Sequence, residues 1–223
     1  MSTAWDKYNK FTSTKQFNVY GNTMSLLFGD NFVNNSEFIS ETNHNFAGLF
    51  RDTTKLIDAS NLILPALTCA INCYNGMFRG CTGLTIAPQL PATQSAFSCY
   101  SSMFEGCINL EIAPEINFTS LSEECCQRMF CMNRNSKITT PKMTKSPILR
   151  CMTGALNCYK EMFKGNGNLT EVTCLLNDTV NSTDNWLTNC SSTGVFYKNP
   201  SKIWSSSISA CPSGWTAIDY VES

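Results

Sequence analysis

The cysteines are the residues of this chain whose type and spacing could do chemistry. There are thirteen among 223 residues, enough for disulfides, a thiolate metal site or a nucleophile. The number is odd, and six of them recur at two equivalent positions of a repeated motif: Cys73, Cys99, Cys125 and Cys158 at the first, Cys81 and Cys107 at the second. In a stacked repeat, equivalent positions lie about 4.8 Å apart. We therefore predict a ladder of buried, reduced thiols that fills a narrow core, with a secreted disulfide framework as the alternative.

The sequence lacks the other parts of an active site or a metal centre. No two cysteines have the Cys-x-x-Cys spacing of a zinc site, and His44 is the single histidine. A cysteine–histidine nucleophile would need His44 beside a reactive thiol, whereas thiols of a buried ladder are inert. No glycine-rich phosphate loop occurs, and the acidic residues are scattered. We predict a protein that is not an enzyme, with no catalytic residue, no metal and no cofactor.

Composition and charge argue against several classes of partner. The chain has 16 Lys and Arg against 17 Asp and Glu, so no basic excess favours nucleic acid. Hydrophobic residues make up 43%, as in folded globular proteins. No run of about 18 apolar residues occurs, so no membrane insertion is expected. The first residues lack the basic and apolar regions of a secretory signal, which predicts that a protein acting outside the cell leaves by another route or within a particle.

A repeated motif organises most of the chain. The block Cys-Tyr-Asn-Gly-Met-Phe-Arg-Gly-Cys at Cys73 returns as Cys-Tyr-Ser-Ser-Met-Phe-Glu-Gly-Cys at Cys99, 26 residues later. Further copies begin at Cys125 and Cys158, and residues 46–51 form a degenerate copy. Self-similarity at this period indicates a solenoid or an array. We predict three parts, which are an N-terminal arm and cap at 1–43, the repeat array at 44–176 and a C-terminal capping unit at 177–223.

Each repeat is predicted to contain a short helix, a short strand and an extended return. In residues 95–106, apolar side chains fall at roughly helical spacing, and Gly106 lies where a helix would end. Residues 110–113 alternate apolar and polar before Pro114, which favours a short strand. The prolines of residues 88–93 favour extended backbone. These elements together make one coil of an α/β solenoid.

The third repeat departs from this pattern. Residues 133–137, Asn-Arg-Asn-Ser-Lys, replace the Gly-Cys turn. The segment 141–157 is longer than its counterparts and carries Lys142, Lys145 and Arg150. Such an insertion is either a loop on the binding face or drift in a loop that tolerates changes of length.

The tail after residue 176 no longer follows the motif and holds three of the four tryptophans, Trp186, Trp204 and Trp215. A solenoid needs a cap at each end, so these aromatic side chains are expected to seal the core. A platform for carbohydrate is the alternative interpretation.

The motif of residues 73–93 also resembles a known family. Cys-Tyr-x-x-Met-Phe-x-Gly-Cys-x-x-Leu-x-x-Ala-Pro-x-Leu-Pro-Ala-Thr is similar to the leucine-rich repeats of the BspA-like family, and most similar to versions from Bacteroidetes and from virion and tail proteins of their phages. Residues 21–32 resemble the lead-in of such phage proteins, and residues 185–216 resemble their closing unit. The resemblance implies a short right-handed leucine-rich-repeat solenoid, a role in binding or assembly, and no catalytic residues.

Two functions follow as hypotheses. The first is a bacteriophage structural protein of the tail, fibre, baseplate or capsid, assembled in the host cytoplasm into the virion with other virion proteins or copies of itself, and also able to attach to the host surface. The second is a bacterial cell-surface adhesin module that binds a host protein or glycan. In either case the binding residues are expected on outward strand positions and on the lysine-containing loop: Thr85, Glu111, Thr170, Lys142, Lys145 and Arg150.

Overall fold

The computed structural model describes residues 11–38, 44–132, 140–177, 181–204 and 209–222. The elements in chain order are β1 (Phe17–Asn22), α1 (Ser25–Phe28), a 3₁₀-helix (Gly29–Asn34), β2 (Leu56–Ile63), β3 (Lys145–Leu149), β4 (Glu171–Cys174), β5 (Gly194–Lys198) and β6 (Trp215–Asp219). The N-terminal arm and the departure at residues 133–137 lie outside the described residues.

The strands of the described residues pair in parallel. Strand β1 pairs with β2, and β3, β4, β5 and β6 form a second sheet in chain order. Single parallel bridges join Asp58 to Ile86, and Gln94 to both Thr68 and Ser120. Parallel sheets with few helices are compatible with the predicted α/β class.

Six segments of successive tight turns account for much of the remaining chain that the structure describes. They lie at 45–52, 71–80, 97–106, 123–130, 156–165 and 181–189, and we call them turn segments. The backbone returns to positive φ every fourth residue, as at Ser98, Ser102 and Gly106 with 51°, 55° and 79°. An α-helix holds φ near about −63° throughout. The helix predicted at residues 95–106 is therefore wrong.

The side-chain pattern explains why a helix was expected. In the second copy of the motif, Cys99 and Tyr100 point inward, the next two residues are turn positions, and Met103 and Phe104 point inward again; all four side chains are at most 1% exposed. Over nine residues, a period of four differs little from the helical period of about 3.6. Glycine and asparagine at many of the positive-φ positions favour the turns, since these residues tolerate that conformation.

Hydrogen bonds join each turn segment to the next. Alternate N–H groups close turns within a segment, as when the Cys73 N–H donates to the Ala70 carbonyl at 3.2 Å. The N–H groups between them cross to the following segment, as from Tyr74 to the Cys99 carbonyl at 3.1 Å. This alternation satisfies the buried backbone without a helix. The segments are therefore stacked in chain order.

The strand predicted at residues 110–113 is also wrong. Leu110 is buried and Glu111 is exposed as the alternation requires, but the chain bends at Ile112, whose side chain is 81% exposed. Equivalent positions do form strands in two other repeats, where β2 begins at Leu56 and β4 follows Leu169.

Stacked aromatic rings run through the core. Phe78 lies 5.4 Å from Phe104 with an interplanar angle of 1°, and Phe104 lies 5.6 Å from Phe130 at 6°. Phe163 continues the stack, and Trp186 follows at 6.2 Å with its ring tilted by 55°. Aromatic pairs contribute about 0.5–1.5 kcal/mol beyond the burial of their area. One ring from each turn segment therefore ties neighbouring segments together.

The turn-and-strand pattern continues beyond the point where the sequence motif fades. Residues 181–189 accept hydrogen bonds from the preceding turn segment, and β5 and β6 extend the sheet. Trp186 is fully buried, and its indole N–H donates to the Ala210 carbonyl at 2.8 Å. Trp215 is only 7% exposed. The carbohydrate-platform interpretation fails for both because a sugar cannot stack on a buried ring.

Glycine is required where β5 meets β6. A Cβ at Gly194 would lie 2.6 Å from the Thr170 carbonyl oxygen and 2.8 Å from the Trp215 ring. We expect Gly194→Ala to destabilise the protein by about 1–3 kcal/mol, the cost of an overpacked site. Gly167→Ala is the matched control, since a Cβ there meets nothing within 4 Å. Urea unfolding of both variants checks this, and equal midpoints would contradict it.

Candidate binding surface

The predicted binding residues lie mainly along one row, on the side of the stack that carries the strands. The Thr85 N–H donates to the Ile57 carbonyl at 2.9 Å, and the Thr170 N–H donates to the Thr144 carbonyl at 2.9 Å. Each threonine therefore lies beside the equivalent residue of the preceding repeat. Both threonine hydroxyls also donate across the same row, from Thr85 to Ile57 at 3.0 Å and from Thr170 to Thr144 at 3.4 Å. Their hydroxyls therefore hold neighbouring repeats together as well as facing outward.

Three of the four charged members of the predicted set are in ion pairs on this row. Glu111 binds Lys142 at 3.0 Å, and Lys145 binds Glu171 at 3.0 Å. All but Glu171 are largely exposed, so each pair contributes about 0–1 kcal/mol of stability. The pairs therefore add little to the stability of the fold.

Arg150 does not belong to this row. It ion-pairs with Glu222 at 3.0 Å and lines a separate groove of about 680 Å³ beside Phe118 and Met152. The sequence placed it with the lysines because it lies on the same long segment, but β3 separates them.

A shallow apolar groove lies at the start of the row. It has a volume of about 580 Å³ and is formed by the matching segments 85–89 and 111–115 of two repeats. Ile86 and Ile112 are 50% and 81% exposed there, and Glu111 and Glu115 are on its rim. Exposed apolar side chains with a polar rim are typical of protein interfaces. Two of the predicted residues, Thr85 and Glu111, therefore line a concave surface.

Sequence reasoning missed the two isoleucines. The alternation assigned Ile112 to the core, whereas the bend leaves two consecutive side chains, Glu111 and Ile112, outside. The repeated Ile-Ala-Pro at Ile86 and Ile112 was the available signal, because a proline two residues later prevents a regular ladder.

None of the thirteen cysteines forms a disulfide, and twelve of them are buried. Burial raises the pKa of Cys158 and of Cys174 to about 12, and burial likewise raises the pKa of Cys190 to about 12. A thiol with so high a pKa is not a thiolate at neutral pH and is a poor nucleophile. The predicted burial of the cysteine ladder is confirmed.

His44, the single histidine, lies just before the first turn segment. It is half-buried, with a φ of 66°, and its N–H donates to the Ile71 carbonyl at 3.0 Å. Within the described ranges, no group of three or more His, Cys, Asp or Glu side chains could hold a metal ion.

A chain of alternating charges crosses the turn segments. Glu105 is fully buried, with Arg79 at 3.1 Å and Arg128 at 3.0 Å. Arg128 also forms an ion pair with Glu161, and the Lys164 Nζ lies 2.5 Å from a Glu161 carboxylate oxygen. Burial opposes ionisation of Glu161, but the Lys164 hydrogen bond and the Arg128 charge outweigh it and lower the pKa of this carboxyl. The chain links four repeats by charge.

Among the described residues, no helix is long and apolar enough to cross a membrane. No family model, no curated protein and no solved structure matches this chain.

Proposed function

We propose that the protein is a short, right-handed leucine-rich-repeat solenoid of the BspA-like kind, in which each coil carries a turn segment where a helix was expected. Support comes from the repeated motif and from the hydrogen bonds that stack the turn segments in chain order. Repeat proteins of this type bury a continuous core by stacking units that are unstable alone.

The proposed function is non-enzymatic: a structural subunit of a phage virion that assembles through protein contacts. The observation that carries the assembly role is the groove between segments 85–89 and 111–115, with its exposed Ile86 and Ile112. The exposed ion pairs Glu111–Lys142 and Lys145–Glu171 extend this surface along the row. An apolar centre with a charged rim fits another folded protein better than a small molecule.

Light scattering of the full chain, with and without reductant, tests this proposal. We expect a defined oligomer that reductant does not change, because the contacts are apolar and the thiols are buried. In the double variant Ile86→Asp with Ile112→Asp, the mass should fall to that of the monomer, since charges placed in an interface lose hydration.

The matched control is Ile203→Asp, because Ile203 is 92% exposed and lies outside the groove. Its oligomer should remain. A wild type that is monomeric and binds a host protein or glycan through the same groove would favour the adhesin hypothesis. A monomer that binds neither a host protein or glycan nor bacterial cells would contradict both functions.

A further inference from the structure

A polar pocket lies between the first three turn segments, apart from the groove. It has a volume of about 350 Å³, and its side-chain lining is two arginines, Arg51 and Arg79, with Asn75, Ser101 and Ser102. No carboxylate is among the lining residues. The pocket therefore presents donors and positive charge without an acidic side chain in its wall.

Both arginines have a carboxylate partner, but the two carboxylates approach to different distances. Arg79 is held by Glu105, with Nε at 3.1 Å and Nη2 at 3.2 Å from the carboxylate oxygens. The Nε of Arg51 is buried and has no hydrogen-bond partner among the described residues. Its nearest carboxylate oxygen, on Asp52, is 3.7 Å away, which is too far for a hydrogen bond. The Arg51 side chain is 29% exposed, so the remainder of its guanidinium can be reached by a ligand in the pocket.

The floor of the pocket is kept open by glycine. Gly48 and Gly76 line it and have φ of 66° and 60°, the conformation that the turn segments require at every fourth residue. Neither carries a side chain, so a ligand can approach the backbone beside each arginine. The third turn segment of the pocket has Ser102 at the position equivalent to Gly48 and Gly76. Its hydroxyl adds a donor at the pocket wall.

We propose that this pocket binds a phosphate or sulfate group, either as the free ion or at the end of a larger ligand. The Arg51 guanidinium supplies the charge and a planar set of N–H donors that match an oxyanion. The hydroxyls of Ser101 and Ser102 can donate as well. The Asn75 amide uses one N–H for the Asn72 side-chain oxygen at 3.2 Å and retains a second. This site is independent of the assembly role of the groove.

Calorimetric titration of the full chain near neutral pH tests the site. The probes are sodium phosphate, sodium sulfate and glucose 6-phosphate, with chloride at matched ionic strength as the comparator. Arg51→Gln should weaken binding by about tenfold or more, because it removes a charge-assisted hydrogen bond. Arg150→Gln is the control, since Arg150 is exposed, pairs with Glu222 and lies far along the chain from the pocket. Circular dichroism without ligand verifies that both variants fold.

The probes distinguish the two sources of the anion. Binding of all three would identify a site for the group itself, and binding of glucose 6-phosphate alone would identify a site for a phosphorylated larger ligand. Either result supports the proposal if Arg51→Gln weakens it and Arg150→Gln does not. Heats no different from those of chloride for every probe would overturn it. Equal loss in both variants would also overturn it, because the effect would then be one of net charge.

Discussion

Raising the pH above about 9 is expected to lower the stability of this protein steeply, by several kcal/mol per pH unit. The ordinary pKa of a cysteine thiol is 9.0, whereas burial raises it to about 12 for Cys158, Cys174 and Cys190 and to about 11 for Cys151. Above pH 9 the unfolded chain releases these protons while the folded chain keeps them. The unfolded state is then favoured, so stability falls as pH rises.

The size of the effect follows from proton linkage. Each thiol that is protonated only in the folded state costs about 1.4 kcal/mol of stability per pH unit. Four such thiols cost roughly 5–6 kcal/mol per pH unit, which is comparable to the whole stability of a typical domain, about 5–15 kcal/mol. The stabilising contribution is fully present below pH 9 and is lost progressively up to the folded pKa values.

Urea unfolding between about pH 7 and pH 10, with reductant throughout, measures this dependence. The matched variant is Cys174→Ala, since Cys174 is fully buried within β4. The variant should be less stable at every pH, but its stability should fall with pH less steeply, by about 1.4 kcal/mol per unit. A wild-type stability that is constant from pH 8 to 10, or an identical slope in the variant, would contradict the prediction.

Glu105→Ala is expected to cost about 1–3 kcal/mol, because it removes a fully buried carboxylate that binds two partly exposed arginines. The Glu105 side chain is 0% exposed, and it forms ion pairs with Arg79 and Arg128 of the two neighbouring repeats. Arg128 keeps Glu161 as a second partner, so the larger change is at Arg79, which loses its ion pair with Glu105. Glu105 therefore links three turn segments by charge.

The control for this variant is Glu111→Ala, which removes an exposed carboxylate paired with Lys142 in the same repeat. It should cost no more than about 1 kcal/mol. Urea midpoints at neutral pH compare the two variants. A Glu105→Ala variant as stable as Glu111→Ala would show that the buried charges are matched in some other way.

Much of the fold was predictable from side-chain columns, and the errors have a common cause. The cysteine, tyrosine, methionine and phenylalanine positions recur with the repeat, so their burial followed from the spacing. The backbone conformation did not follow, because a pattern of two residues inward and two outward suits both a helix and a run of turns. Only the positive φ at residues such as Gly76 and Gly106 separates the two.

The candidate site was predictable only in part. Thr85 and Glu111 were identified because they follow a buried leucine, and this rule does not need the exact backbone. Ile112 was missed because its exposure comes from a local bend, and Arg150 was misplaced because position along a loop does not give position on a surface. The Arg51 pocket is built by three repeats at once, so no single motif could indicate it.

The parallel stacking of the described strands gives the molecule a direction. Among the described strands, β1 and β6 each have one strand partner and are edge strands of their sheets. Their sequences differ, so they are not equivalent surfaces. Copies that joined through them would do so head to tail, and such a contact cannot form a two-fold dimer. It leads instead to a ring or a polar filament, in which every copy faces the same end.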